Sequence, residues 1–296
     1  MTGDASELMT TREVADYLRL KERRIYELVR QRAIPCTRVT GKWLFPKPLI
    51  DLWLSRHLEG SPPASAPPPV VAGSQDPLLD WAVRESGCGL ALLPGGSLDG
   101  LARFARGEAL AAGLHVLDPE SRTWNRAAIE SALPGRPVVA IAWARRRQGL
   151  VVAAGNPLGV ASLADLVRPG LRFARRQAEA GSRLLLAHLL GEAGVAEDSL
   201  DYGEATARGE LDVGLAVLEG RADAGLAVEA VARQLQLGFL PLVEERFDLL
   251  LQRRDYFEPP FQRLLEFARG GAVAQRAAQL GGYDVAELGA VRFNGP

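Results

Sequence analysis

Three short stretches of the chain set small residues and a hydroxyl just ahead of helical sequence: Gly73-Ser74, Gly95-Gly96-Ser97 and Ala180-Gly181-Ser182-Arg183. A glycine turn that opens a helix presents backbone N–H groups, a serine hydroxyl and the positive end of the helix dipole, all of which attract an anion. Each corner taken alone is also an ordinary helix cap, and Asp76-Pro77 reads as an N-cap followed by proline at the first helical position. Convergence of all three would make an anion site. Gln75 follows the first corner, while Arg176, Gln177 and Arg183 flank the third. Arginine can grip an oxyanion with two parallel donors; these arginines could equally pair on the surface with Glu179 or Asp201.

Other chemistries find little support. The three histidines (His57, His115 and His188) sit in no metal-ligand spacing, and HxxxH, GxSxG and Walker patterns are absent from the sequence. His188 reads as a satisfied helix residue. Cys36 and Cys88 are too far apart for a zinc pair and too few for a disulfide framework, and Cys88 reads as small core filler rather than a nucleophile. In the run Arg145-Arg146-Arg147, alternate residues of a strand point to opposite faces, so only part of it can serve one partner. These are read as lobe-surface or hinge charges, with cleft contact by Arg147 or Gln148 the lesser alternative. Asp223, in GRADAGLA, is either a ligand or hinge contact or a plain turn residue.

The elements that must hold these groups follow from composition and period. The 296 residues are 47% hydrophobic, enough for about two packed domains, and the apolar runs fall short of the ~18 residues of a membrane helix. The start, MTGDASELMTTREV, lacks a basic flank and an apolar core, so the sequence predicts no secretory signal and a cytoplasmic protein. Residues 1–60 hold 11 Lys and Arg against 8 Asp and Glu, with all three lysines (Lys21, Lys42 and Lys47) among them, whereas residues 61–296 hold 24 against 28. Five prolines in residues 60–69 form a linker of polyproline character, roughly 30 Å long at ~3.1 Å per residue. The expected division is residues 1–59, linker 60–69 and residues 70–296.

In the head, Thr10 and Glu13 have capping-box spacing ahead of a helix from about Thr11 to Leu18. A turn at Arg19 and Leu20 leads to a second helix, 21–31, with Ile25, Leu28 and Val29 inward and Arg23, Arg24, Glu27 and Arg30 outward. Residues 36–39 and 43–45 form a hairpin around Thr40, Gly41 and Lys42, and a closing helix puts Leu49, Ile50, Trp53 and Leu54 on the core. In the body, VVAGS then DPLLDWAVRES, and CGLALLPGGS then LDGLARFARGE, alternate strand and helix. This predicts an α/β fold with a largely parallel sheet in two lobes, crossed by residues 138–154 and returned by 239–251.

The stretch LMTTREVADYLRLKERRIYELVRQRAIPCTRVTGKWLFPKPLIDLWL resembles the excisionase-type, MerR-like winged helix-turn-helix over essentially the whole head. The resemblance implies that the second helix enters the DNA major groove and the wing lies along the backbone. It assigns Lys21, Arg23, Arg24 and Tyr26 to DNA from the helix and Arg38, Lys42 and Trp43 from the wing, with Thr11 and Arg30 completing the set. Guanidinium groups bridge phosphates or the O6/N7 edge of guanine, which gives that assignment its chemistry. The alternative has the arginines merely solvating a helix face and Trp43 packing in the wing. A head with net charge +3 has a small footprint, which points to a homodimer or higher oligomer.

The body, from about Val70 to Asn294, resembles the type II periplasmic-binding-protein fold, in particular the cytoplasmic branch similar to molybdate-binding proteins. The segments that carry this are AGLHVLDPE with Trp124-Asn125, RRQGLVVAAGNP, RFARRQAEAGSRLLL, GRADAGLA and LPLVEERFDLLLQRR. It implies a ligand enclosed between lobes and contacted by Ser74, Gln75, Gly96, Ser97, Trp124, Asn125, Arg176, Gln177, Gly181, Ser182, Arg183, Glu210 and Asp223. The chain departs from that pattern at Gly209-Glu210, where relatives tend to have Thr-His, and at Glu179, where they have glycine. It also has Val228 and Glu229 where the transporter pattern puts a tyrosine. A carboxylate near the cleft opposes a bare dianion.

The whole reads as α/β, a small N-terminal winged helix-turn-helix plus a two-lobed periplasmic-binding-protein-like domain. The expected function is a cytoplasmic transcription regulator, a repressor by resemblance, that binds double-stranded DNA and a small effector such as molybdate or tungstate, with no cofactor, metal, catalytic residue or membrane. Two alternatives stay open: an architectural DNA-binding protein with a ligand-free dimerisation body, and an enzyme on the two-lobed fold.

Overall fold

A computed structural model describes residues 8–39, 41–56 and 66–296 of the chain. Two compact units, Met1–Ser65 and Ala66–Pro296, divide it. Thr40, His57 and residues 60–65 of the proline-rich segment lie outside the described residues, as does most of the N-terminal stretch read for a signal. Among the described residues, no helix is long and apolar enough to cross a membrane.

In the first unit the capping box forms: Thr10 Oγ1 accepts from Glu13 N at 3.3 Å, and Glu13 Oε2 accepts from Thr10 N at 2.7 Å. Two of the orphan donors at the start of helix Thr11–Leu18 are thereby satisfied. Arg19 ends that helix in the left-handed region (φ 54°), and helix Glu22–Arg30 follows. Strand Lys42–Pro46 pairs antiparallel with Thr37–Val39 to make the hairpin, and on its other edge with Leu8–Thr10, a strand the pattern did not disclose. Val14, Ile25, Ile34, Phe45 and Ile50 form the core, and Trp53 Nε1 donates to Ala33 O at 2.7 Å. Leu49 and Leu54 are exposed, contrary to expectation. The helix Lys47–Arg56 aims its Ile50–Trp53 stripe inward, which leaves those two leucines on the flanks, each about 70° off the stripe at ~100° per residue.

The second unit is built on one sheet. Its main path runs Asp201–Ala207, Arg172–Arg176, Ala224–Val228, Val138–Val152, Gly238–Gln252, Ala111–Leu114, Val70–Gly73, Ala91–Pro94. The outer three strands at each end are mutually parallel and belong to one lobe each. Between them the two 15-residue strands pair antiparallel, from Val138 opposite Gln252 to Val152 opposite Gly238. These are the crossing and return segments expected from the sequence. Both run through the two lobes, so the sheet is continuous and the hinge is a ladder rather than a loop. Helices start where the chemistry dictates: Asp76 Oδ1 accepts from Leu79 N at 2.7 Å, with Pro77 first in helix Pro77–Ser86. The second lobe packs around Leu150, Leu166, Phe173, Leu185 and Leu226, and the first around Leu79, Trp143, Leu249 and Phe261.

Candidate functional site

The three serine corners meet where the lobes face each other. Ser74 Oγ and Ser97 Oγ are 2.8 Å apart, and Ser97 Oγ accepts from His115 N at 3.1 Å. Helix Gly181–Glu192 of the second lobe begins against them: a Cβ on Gly181 would stand 2.6 Å from His115 O and 2.9 Å from Ser97 Oγ. Gly96, at φ 92°, approaches the second lobe as closely, since its Cβ would lie 2.7 Å from Glu179 O. Leu98 N donates to that same carbonyl at 3.0 Å, a direct backbone bond between lobes. Only residues without a side chain allow these approaches.

The corners differ from expectation in what they offer. Gly95 N and Gly96 N both donate to Gly73 O, at 2.9 and 3.1 Å, and Ser74 N to Gly113 O at 3.0 Å. The amides of these two corners are spent on holding the turns in place, and buried side-chain donors remain beside the third. Arg176, at the end of strand Arg172–Arg176, is 7% exposed, and its Nε and Nη1 have no hydrogen-bond partner among the described residues. Ser182 Oγ, 1% exposed, is in the same condition. Burial lowers the Arg176 guanidinium from its usual range, with Glu210 and Asp212 opposing that shift and Arg146 reinforcing it. Gln177 donates to Arg208 O at 2.9 Å, and Gln75 contacts Asp80 at 3.3 Å and crowds Gly209, whose Cβ would lie 2.2 Å from Gln75 Oε1.

Beneath the corners lies a buried charge network that the sequence did not reveal. Of the three consecutive arginines, Arg145 pairs with Glu287 and Arg147 with Glu229, both partly exposed, while Arg146 is wholly buried. Its guanidinium contacts Glu245 and lies 3.0 Å from Asp76 Oδ2, 3.9 Å from Glu210 Oε1 and 4.4 Å from the centre of the Phe247 ring. Burial opposes its charge, but Glu245, Glu210 and Asp76 outweigh it and raise the group above its ordinary value. Glu245 is also opposed by burial, and Arg146 and His115 hold it below the usual carboxylate range. Asp76 accepts from Trp143 Nε1 at 3.2 Å and Tyr283 Oη at 2.7 Å; Glu210 accepts from Val228 N at 2.7 Å and Gln148 Nε2 at 2.9 Å. His115 Nδ1 is 2.8 Å from Glu245 Oε2.

His115, Glu210 and Glu245 bring one ligand atom each within 4.8 Å of one another. The guanidinium of Arg146 already supplies the positive charge between the two carboxylates. Beside the network a cavity of about 270 Å³ is lined from both lobes, with Gln75, Asp80, Trp81, Glu210 and Arg276 on its walls. Burial, and then the neighbouring Asp76, push the Asp80 carboxyl up to about 6.

Four expected ligand residues are engaged elsewhere. Asn125, at φ 67°, folds back on the chain, accepting from Val116 N at 2.7 Å and donating to Asp248 at 2.6 Å. Trp124 packs on the second-lobe core. Arg183 pairs with Glu197 at 3.0 Å and Asp223 with Arg172 at 3.0 Å, both at the surface of that lobe. His188 lies 3.6 Å from Glu192, and Cys88 is buried.

In the first unit, Lys21, Arg23, Arg24, Tyr26 and Arg30 are all exposed on or beside the second helix, with Arg23 and Arg24 also within reach of Glu27. Thr11 opens the first helix, half-buried. Arg38 and Lys42 are exposed on the hairpin; the Arg38 guanidinium covers the Trp43 ring at 5.4 Å, while that ring packs partly on the core.

Residues 80–269 match the family described as the PBP superfamily domain, and residues 8–58 match the helix-turn-helix domain family. Protein YvgK of Bacillus subtilis (strain 168) is 25% identical over an aligned length of 302 residues, taking in 95% of this chain and 96% of its own. A putative phosphate ABC transporter substrate-binding protein with bound phosphate from Clostridium perfringens superposes with a TM-score of 0.53 at 11% identity, over 71% of this chain and 96% of that one. The sulfate-binding protein SubI from Mycobacterium tuberculosis H37Rv gives 0.50 at 15% identity, over 72% and 85%. At such identities these two structures speak for the fold alone.

Proposed function

Because the chain belongs to the PBP superfamily domain family and carries a helix-turn-helix domain ahead of it, we propose that it is an effector-controlled DNA-binding regulator whose body takes a small oxyanion between its lobes. The observation that carries the reading is the set of buried donors without partners among the described residues, Arg176 Nε and Nη1 and Ser182 Oγ, the last of them one residue beyond the Gly181 that abuts Ser97. Buried polar groups are almost always hydrogen-bonded, so donors left over at a lobe junction call for an acceptor from outside the chain. Ser74, Gly96, Ser97, Arg176, Gly181 and Ser182 form the site in this proposal, with Gln75, Gln177 and Glu210 at its rim.

The ligand draws the two lobes together, and the same binding energy biases the arrangement of the DNA-binding heads in a homodimer. The operator is read by Lys21, Arg23, Arg24, Tyr26 and Arg30 from the helix and Arg38, Lys42 and Trp43 from the wing. Residues 60–69 join the two functions, and the protein acts in the cytoplasm as a repressor. Thermal unfolding of the full chain with molybdate, tungstate, sulfate, phosphate and small carboxylates tests the reading. A ligand at a hundred times its Kd adds about 2.7 kcal/mol, and no shift with any member would refute it. Operator affinity must then change with the bound anion by the factor that DNA imposes on the anion.

A further inference from the structure

The junction also holds acceptors, and one of them has its identity set by its neighbours. Gln148, on the strand Val138–Val152, is 0% exposed. Its Nε2 faces two carboxylates, at 2.9 Å from Glu210 Oε1 and 3.2 Å from Glu245 Oε1. Only the nitrogen end of an amide can face carboxylate oxygens, since the oxygen end has lone pairs alone. Gln148 Oε1 is therefore turned the other way, and it is buried with no partner among the described residues.

His115 repeats the pattern. A carboxylate only accepts, so Nδ1, 2.8 Å from Glu245 Oε2, carries the hydrogen, and Nε2 is turned away from that carboxylate. Nε2 too is buried without a partner. His115 lies against the start of the helix that carries Ser182. A Cβ on Gly181, one residue before Ser182, would stand 3.0 Å from His115 Cε1, the ring atom next to Nε2. Glu210, which holds Gln148, acts electrostatically on Arg176 as well.

Resting on the oxyanion reading above, we infer that the ligand of this site is an anion that also carries a hydrogen-bond donor, and that Gln148 is the residue that selects for it. Two sources share that chemistry: a protonated oxyanion, such as hydrogen phosphate or hydrogen arsenate, and a small carboxylate bearing a hydroxyl. Their oxygens accept from Arg176 and Ser182, and their hydrogen meets Gln148 Oε1. Sulfate, molybdate and tungstate carry no proton at neutral pH. Each would set a lone pair against the lone pairs of Gln148 and leave a buried acceptor unpaired.

Calorimetric titration of the full chain at neutral pH decides this, comparing phosphate and arsenate with sulfate, molybdate and tungstate, and glycolate with acetate. The donor-bearing member of at least one set should bind roughly tenfold tighter or more, the factor expected when a buried acceptor loses its donor. Which set responds identifies the source. Gln148→Leu removes the acceptor at similar volume and should collapse that ratio toward one, whatever it does to absolute affinity. If the donor-free anions bind as tightly as their partners, the inference is overturned while the oxyanion reading stands. If no anion binds at all, both fall. The wild-type comparison decides even if Gln148→Leu fails to fold.

Discussion

Replacing Arg146 with methionine removes the one guanidinium among Asp76, Glu210 and Glu245 in the buried network and keeps most of the side-chain volume. At an effective dielectric of about 20, the 3.0 Å contact with Asp76 is worth roughly 5 kcal/mol and the 3.9 Å contact with Glu210 roughly 4 kcal/mol before desolvation. Desolvation costs several kcal/mol per ion, so the intact network adds little net stability. Its loss on one side is different, because three carboxylates then remain buried without their cation. The expected deficit is about 3–5 kcal/mol. Its pH dependence has a definite sign. In the native protein Glu245 is held below its usual range, so its contribution is present above the unfolded carboxylate value of about 4.3 and is lost as pH falls through the folded one. In the variant Glu245 loses that cation and its burial then raises the carboxyl, which contributes stability only while protonated and loses it as pH rises. Urea unfolding of the full chain, followed by circular dichroism, should therefore show a larger deficit at about pH 8 than at about pH 5, and adding Glu245→Gln should recover part of it. A deficit below about 1 kcal/mol at the higher pH, or one that grows on acidification, would refute the described burial of these charges.

Gly181→Ala places a methyl group against the backbone carbonyl of His115; overpacking of roughly 1–3 kcal/mol in the closed arrangement should weaken anion binding by about 5- to 150-fold with the far-ultraviolet spectrum unchanged. Unaltered affinity in titration calorimetry would mean the lobes need not approach so closely. Arg23→Ala combined with Arg24→Ala should weaken operator binding and flatten its dependence on salt by roughly two units of slope, since each phosphate contact contributes about 0.9; gel shifts over a salt series read this directly, and an unchanged slope removes both residues from the interface. Arg183→Ala combined with Asp223→Asn should leave anion affinity within about twofold, because both side chains are committed to Glu197 and Arg172; a tenfold loss would return them to the site.

Local chemistry was legible where a few adjacent residues decide it. Thr10 with Glu13, and Asp76 with Pro77, announce helix starts through bonds that span only three residues. The serine corners could be read for the same reason, although not that the amides of the first two would be consumed by Gly73 O and Gly113 O, forty residues apart in sequence. The strand Leu8–Thr10 has three residues, too few for a period to emerge. For Arg145-Arg146-Arg147, the period of two predicts that one face differs from the other without saying which faces the core. His115 and Glu245 lie 130 residues apart and meet only because the sheet brings strand Gly238–Gln252 beside Ala111–Leu114. The bonds of Asn125 to Val116 N and to Asp248, 9 and 123 residues away, leave no trace in the local pattern.

The two 15-residue strands also govern the order in which the protein can fold during synthesis. The first lobe gains its Val70–Gly73 and Ala91–Pro94 pair early, yet the neighbour of Ala111–Leu114 on the other side is Gly238–Gln252. Until that strand leaves the ribosome, an edge of the early lobe and the apolar half of Val138–Val152 stay unpaired, the condition in which nascent chains associate wrongly. The three parallel strands of the second lobe lie within the interval and are complete by Val228. That lobe can therefore consolidate before the lobe that precedes it.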